Sequence, residues 1–256
     1  MQTAADATLV IGLSLTLAWV VAIVLGASRG VLRGAGLIAA LWVGGALVCL
    51  TLYAGVVRSV ADSVPPATAD GAVLAWFVAH RSHTATFIMR AVSTVGGTLG
   101  MLALATIGVA ALVVAHHRGV AVVAAAAAAS ACVLIPLTKD FYQRERPPME
   151  LRLTVETTSS LPSGHALGSL ATLGILAVAV VTVSRSPTLR GLAVASAALG
   201  VLSIGVSRLY LGVHWLTDVL AGWLLGAALV ALGCAALTLL RRGTPAPLPP
   251  QRTPVT

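Results

Sequence analysis

The chain has 256 residues, 58% of them hydrophobic and only 9% charged, with a formal net charge of +8 at pH 7. A mean hydropathy of +0.97 excludes an ordinary soluble domain and leaves an integral membrane protein. The basic excess then reads as membrane topology and not as a nucleic-acid surface.

A spanning helix needs about 20 mainly apolar residues. Suitable runs fall near 7–27, 35–57, 92–115, 119–138, 165–184, 190–206 and 215–240, which predicts seven spans. The leading residues of the first run, MQTAADATLV, carry no positive charge and its arginines follow it, so it reads as a membrane anchor and not as a signal peptide. After the second run, 58–90 is a long connection whose centre, AVLAWFVAHRSH, is expected to lie as a helix along the membrane surface. The fourth and sixth runs are diluted by alanine, glycine and serine, which suit close helix packing in lipid. Cys49, Cys132 and Cys234 sit inside apolar runs as small hydrophobes, without disulfide or zinc spacing. The expected fold is an all-α polytopic membrane helix bundle: residues 1–34 form an N-terminal anchor and turn, 35–240 a six-span core, and 241–256 a proline-rich tail.

Loop charge predicts orientation, since cytoplasmic loops retain Lys and Arg. Numbering the connections alternately puts Arg29, Arg33, Arg118, Arg185, Arg190, Arg241, Arg242 and Arg252 on one side with no acid among them. The other side holds the remaining basic residues together with all eight acids. The first side is therefore expected to be cytoplasmic, with an outside N terminus and a cytoplasmic C-terminal tail in the plasma membrane.

Three polar clusters interrupt the apolar chain, all on the expected extracytoplasmic side: KDFYQRERP at 139–147, PSGH at 162–165 and SRLYLGVHWLTD at 207–218. Ionisable groups beside spans are expensive and are functional candidates for that reason. Lys139, Arg146 and Arg208 supply fixed positive charge, and an arginine fork matches phosphate oxygens in a bidentate manner. Basic residues also snorkel to headgroups, the reading given to Arg144 and Arg152. Ser163 and Gly164 stand at the head of a span, where free N–H groups and the helix dipole favour an anion; Pro162 and Ser163 alone better suit a plain helix start, and His165 tips the balance. His214 and Asp218 are four residues apart, so on a helix the carboxylate reaches the imidazole, orients it and leaves its other nitrogen to attack. His165 is the expected proton donor.

Lys139, Arg146 and Pro147, then Pro162, Ser163, Gly164 and His165, then Ser207, Arg208, His214 and Asp218 fill all eleven positions of a tripartite signature. The chain thereby resembles the type 2 phosphatidic acid phosphatase superfamily, a family of membrane lipid phosphate phosphatases whose phosphate-site signature is shared with soluble haloperoxidases. The resemblance extends over about 35–240 and makes the first span an addition to the six-span core. It implies a metal-independent phosphatase without a cofactor. In that scheme His214 is the nucleophile that forms a phosphohistidine, Asp218 its partner and His165 the general acid. Lys139, Arg146, Ser163, Gly164 and Arg208 bind the phosphoryl group, while Pro147, Pro162 and Ser207 support the motif.

A pocket at the outer leaflet favours an amphiphilic lipid phosphate as the partner, with the bilayer around it and no nucleic acid. A polyprenyl (undecaprenyl-type) diphosphate is the favoured substrate, followed by phosphatidic acid and phosphatidylglycerophosphate. A lipid-linked phosphotransferase using the same histidine is the alternative. A transporter or flippase fits less well, because its charges belong near mid-bilayer and these gather at one interface. The sequence leaves the oligomeric state open.

Overall fold

The computed structural model describes residues 2–28 and 31–241, with side chains from residue 10 onward. These residues form α1 (Gln2–Ser28), α2 (Ala35–Asp62), α3 (Asp70–Ala79), α4 (His83–Val95), α5 (Thr98–Val114), α6 (Arg118–Tyr142), α7 (Gly164–Val183), α8 (Pro187–Tyr210) and α9 (Leu216–Leu240). Short 3-10 turns occur at Ala67–Ala69 and Met149–Leu151. Arg29, Arg242, Arg252 and the rest of the tail from 242 onward, which carry part of the orientation argument, lie outside the described residues.

Six of these helices, α1, α2, α6, α7, α8 and α9, are long and apolar enough to cross a membrane. The protein is an all-helical, multi-pass membrane bundle. The predicted third span, 92–115, is a broken one, and among the described residues the bundle has seven crossings if the bent pair counts as a single span. Its chain is divided between α4 and α5, which meet at a bend of 51°. The break falls on Gly96 and Gly97, and a Cβ on Gly96 would lie 2.6 Å from the Ile204 side chain of α8. The bare backbone therefore turns against α8, where a side chain would hold it away.

Helix α9 is the hub and packs on α2, α6 and α7. Small residues allow its close approaches in lipid. A Cβ on Gly222 would come within 2.6 Å of the Ser163 carbonyl, so only glycine lets α9 touch the first turn of α7 at that height. Near the site the core gathers Tyr53, Val57, Leu161, Leu167 and Leu225, and toward the opposite end Leu112, Ala124, Ile175 and Leu237. Helix α1 packs on α2 through a Thr16–Thr51 hydroxyl pair at 2.8 Å and a Trp19 indole donating to the Ala40 carbonyl at 2.9 Å. Val10, Ile11, Leu13 and Leu17 of α1 are exposed on its other faces, as lipid-facing residues are.

Four helix ends and one connection set the position of the polar clusters. Helix α6 has 25 residues, roughly 37 Å of rise, so it outruns a hydrocarbon layer of about 30 Å and carries Lys139 to the layer's edge. Helix α7 starts at Gly164, α8 ends at Tyr210 and α9 starts at Leu216. The intervening turn is tight: Gly212 has φ +69°, and a Cβ there would lie 2.5 Å from the Leu151 carbonyl. Helices α3 and α4 pack on α8 at this end, and α3 covers most of the stretch AVLAWFVAHRSH that was expected to be helical.

Candidate active site

His214 stands in the turn before α9, 2% exposed, between two charged partners. Its Nδ1 lies 3.3 Å from Asp218 Oδ2, and its Nε2 lies 3.2 Å from Arg146 Nη1. With the proton on Nδ1, facing the carboxylate, Nε2 carries the lone pair. Burial pushes the imidazole down to about 3, outweighing the hydrogen bond and charge of Asp218, which act in the opposite direction. The ring is therefore neutral near pH 7, the form in which it has a nucleophilic nitrogen.

Asp218 is completely buried and fully partnered. Its Oδ2 accepts the Trp215 N–H at 2.9 Å and the Ser160 hydroxyl, while its Oδ1 accepts Arg144 Nη1 at 2.5 Å. Thus the carboxylate that orients the imidazole also caps the first turn of α9. Arg144 spans further, donating to Thr217 Oγ1 at 2.8 Å and to Asp70 Oδ2 at 2.8 Å. Asp70 in turn accepts the Thr217 N–H at 2.9 Å and its hydroxyl at 2.6 Å.

The expected snorkelling role of Arg144 is thus corrected. Its guanidinium turns inward because two buried carboxylates need a counter-charge there. Asp70, on α3, and Ser160 were not singled out from the sequence at all. An acid opening the apolar run DGAVLAWFVA was the available signal for Asp70. Arg152, the other residue read as snorkelling, donates to the Pro147 carbonyl at 2.6 Å and fixes the loop.

The connection 143–163 folds back over the cations. Arg146 donates to the carbonyls of Val213 and Thr158, each at 2.7 Å. Lys139 Nζ donates to the Ser159 carbonyl and to Thr158 Oγ1 at 3.3 Å. Arg208 donates to Ser93 Oγ and to Glu156 Oε1, and Glu156 Oε2 is 3.7 Å from Arg146 Nη2. Burial alone would raise the Glu156 carboxyl, but Arg208 and Arg146 outweigh it and hold the group below its usual range, as an anion.

His165, in the first turn of α7, lies beside the backbone of Ser93. Its ring approaches the Gly97 break, where a Cβ would lie 3.5 Å from His165 Nε2. His165, Glu156 and Arg208 line a cavity of about 320 Å³ with Arg90, Ser93, Thr94, Gly97 and Thr154. A larger cavity of about 760 Å³ lies lower in the bundle between Trp42, Leu170, Val201 and Trp223, and it touches none of the signature residues. Size therefore does not locate the chemistry here.

All three clusters meet at this end of the bundle. Ser163 is buried, and its hydroxyl has no partner, although it stands at the start of α7. Arg208 Nε is likewise buried without a partner. Buried donors without a partner inside the protein are groups that a bound anion could satisfy. Pro147 and Pro162 are fully buried supports. Ser207 is buried and gives its hydroxyl to the Ile204 carbonyl of its own helix. Gly164 serves packing, since a Cβ there would meet Ile135 of α6 at 3.1 Å. Among the described residues no three His, Cys, Asp or Glu side chains form a metal-holding group.

Lys139, Arg144, Arg146 and Arg208 face Asp70, Glu156 and Asp218. Leaving the histidines aside, these seven groups sum to one net positive charge.

Residues 118–241 match the family model of the PAP2 superfamily. Phosphatidylglycerophosphatase B of Bacillus subtilis (strain 168) is 34% identical over 104 residues, 39% of this chain and 49% of the relative. The chain thus spans about half the length of that curated relative. The crystal structure of a transmembrane PAP2-type phosphatidylglycerolphosphate phosphatase from Bacillus subtilis superposes with a TM-score of 0.66 at 24% identity. That match covers 73% of this chain and 93% of the other, so the two share a fold. The stretch that resembles the PAP2 superfamily, Arg118 to Arg241, supplies every residue of the three polar clusters.

Proposed function

We propose that the protein is an integral membrane phosphatase that hydrolyses a lipid phosphate, with His214 as nucleophile. The supporting observation is the buried His214, held at Nδ1 by Asp218 and facing Arg146 through Nε2. The Nε2 lone pair attacks phosphorus and the bond from phosphorus to the lipid oxygen breaks. His165 gives that oxygen its proton, and Asp218 stabilises the charge left on the imidazole. A water then attacks the phosphohistidine, His165 takes up its proton, and inorganic phosphate leaves. Lys139, Arg146, Arg208, the Ser163 hydroxyl and the first-turn N–H groups of α7 stabilise the transferring phosphoryl charge, which is most of the catalytic task in such reactions. These cations supply the charge a metal ion would otherwise bring, so the reaction needs no metal.

The site faces the extracytoplasmic side, a reading supported by the acid-free basic connections at the opposite helix ends, such as Arg118, Arg185 and Arg190. The name of the Bacillus subtilis relative favours phosphatidylglycerophosphate as the first lipid to assay. A polyprenyl diphosphate, favoured by an outward-facing site, and phosphatidic acid come next. The test is phosphate release by purified protein in detergent across these three lipids and a soluble ester, with and without EDTA. Release that survives EDTA and is absent from a folded His214→Ala variant is expected. No release on any lipid by folded wild-type protein would move the reading to a phosphotransferase, and loss on chelation with recovery on one added metal would overturn metal independence.

A further inference from the structure

The carboxylate of Glu156 lies between the two arginines that the proposed reaction assigns to phosphate. Oε1 takes a hydrogen bond from Arg208, and Oε2 stands 3.7 Å from Arg146, whose own Nη1 is 3.2 Å from His214 Nε2. Both guanidiniums are almost fully buried, whereas the glutamate side chain is 27% exposed and lines the cavity of about 320 Å³ beside His165. A carboxylate and a phosphoryl group present the same face to an arginine fork, two oxygens in a plane. The anion seat is therefore filled by the protein's own side chain.

Both anions cannot share it. Two like charges packed between the same guanidiniums repel strongly at low local dielectric. Glu156 sits on an irregular connection and not on a helix, and the adjoining cavity, rimmed by Arg90 and Thr94, gives its side chain somewhere to go. With Glu156 withdrawn, the site gains one unit of positive charge and matches a phosphate dianion. The geometry points to Glu156 as a built-in stand-in for phosphate, which keeps Arg146 and Arg208 paired while the site is empty and must be displaced by every phosphate that binds. This rests on the reading of the site as a phosphate site. The substitution serves two ends: it avoids the large cost of leaving buried arginines without a counter-charge, and it weakens retention of the phosphate product, which has to leave the same seat.

A purely structural role for Glu156, holding Arg208 in place, predicts the opposite sign, which makes the question decidable. Inorganic phosphate binding to the full detergent-solubilised chain is measured calorimetrically for wild type, Glu156→Gln and Arg208→Ala. The glutamine is isosteric and still accepts from Arg208 but carries no charge. Phosphate is expected to bind Glu156→Gln about tenfold or more tightly than wild type, with a matching fall in KM for the lipid. Equal or weaker binding by Glu156→Gln, with Arg208→Ala losing phosphate, overturns the stand-in and leaves the phosphate site intact. Equal binding by wild type and Arg208→Ala overturns the phosphate site itself. A second measurement needs no variant. Saturating phosphate should raise hydrogen exchange in the peptide covering 154–158 of the wild type, as its anchor is released; protection or no change there would also overturn the proposal.

Discussion

At the scale of single residues, Arg144 shows what spacing along a chain conceals. It lies 74 positions from both Asp70 and Asp218, and the ion pairs it makes with them exist only after α3 and α9 have come together. Removing the guanidinium would leave two buried carboxylates without a cation, and breaking a buried pair costs about 3–5 kcal/mol. Arg144→Gln should therefore lower both the melting temperature and kcat, with KM changed less. Adding Asp70→Asn should restore part of the stability and none of the rate, because Asp218 still lacks its anchor. Recovery of kcat in the double variant would show that Arg144 acts only on stability.

His214 supplies a pH prediction. Its ring goes from an ordinary 6.5 to about 3 on folding. Between those values the unfolded chain binds a proton that the folded chain refuses, so stability falls as pH drops from about 6.5 toward 3. Melting temperatures of wild type and His214→Gln, compared from pH 7 to pH 4, should converge as acid is added. Parallel curves would mean that the folded imidazole is not held neutral.

The sequence made the signature residues legible because their side chains announce chemistry wherever they stand in an apolar chain. It did not make Ser160 or Glu156 legible. Each is an ordinary loop residue until the connection 143–163 folds back and sets it against Asp218 or Arg208.

At the scale of elements, apolar runs predicted the long helices well and missed the break between α4 and α5. Hydropathy is continuous through 92–115, but the backbone bends by 51° at two glycines whose role depends on Ile204, about 108 positions further on. That bend sets Ser93 against both His165 and Arg208. Contact between α7 and α9 is the other determinant. Gly222→Leu should force α9 away from the Ser163 carbonyl and abolish turnover with loss of stability, since a real Cβ cannot stay at 2.6 Å. Gly191→Ala, where nothing lies within 4 Å, is the matched control and should behave as wild type. Equal activity in both variants would mean that the α7–α9 approach does not hold the site.

At the scale of the whole molecule, the first helix packs as an addition to the rest of the bundle. Helix α1 meets the bundle through α2, and α2 keeps its own packing on α9 without it. A chain beginning at residue 35 should insert, fold and retain phosphate release close to that of the full chain. Loss of activity with normal insertion would give α1 a part in catalysis.

The signature residues stand at one end of the bundle, on helix ends and the turns between them. The turns at the other end, 115–117 between α5 and α6 and 184–186 between α7 and α8, owe the site nothing except the length of the helices they join. A residue inserted within α9 near Gly222 would rotate everything beyond it by about 100° and shift it by about 1.5 Å, and the site would come apart. The same residue inserted at 184–186 would enlarge a loop. The bundle thus has an end that is held in register and an end that is free to vary, and drift in chain length, reporter tags and fused domains all belong at the free end.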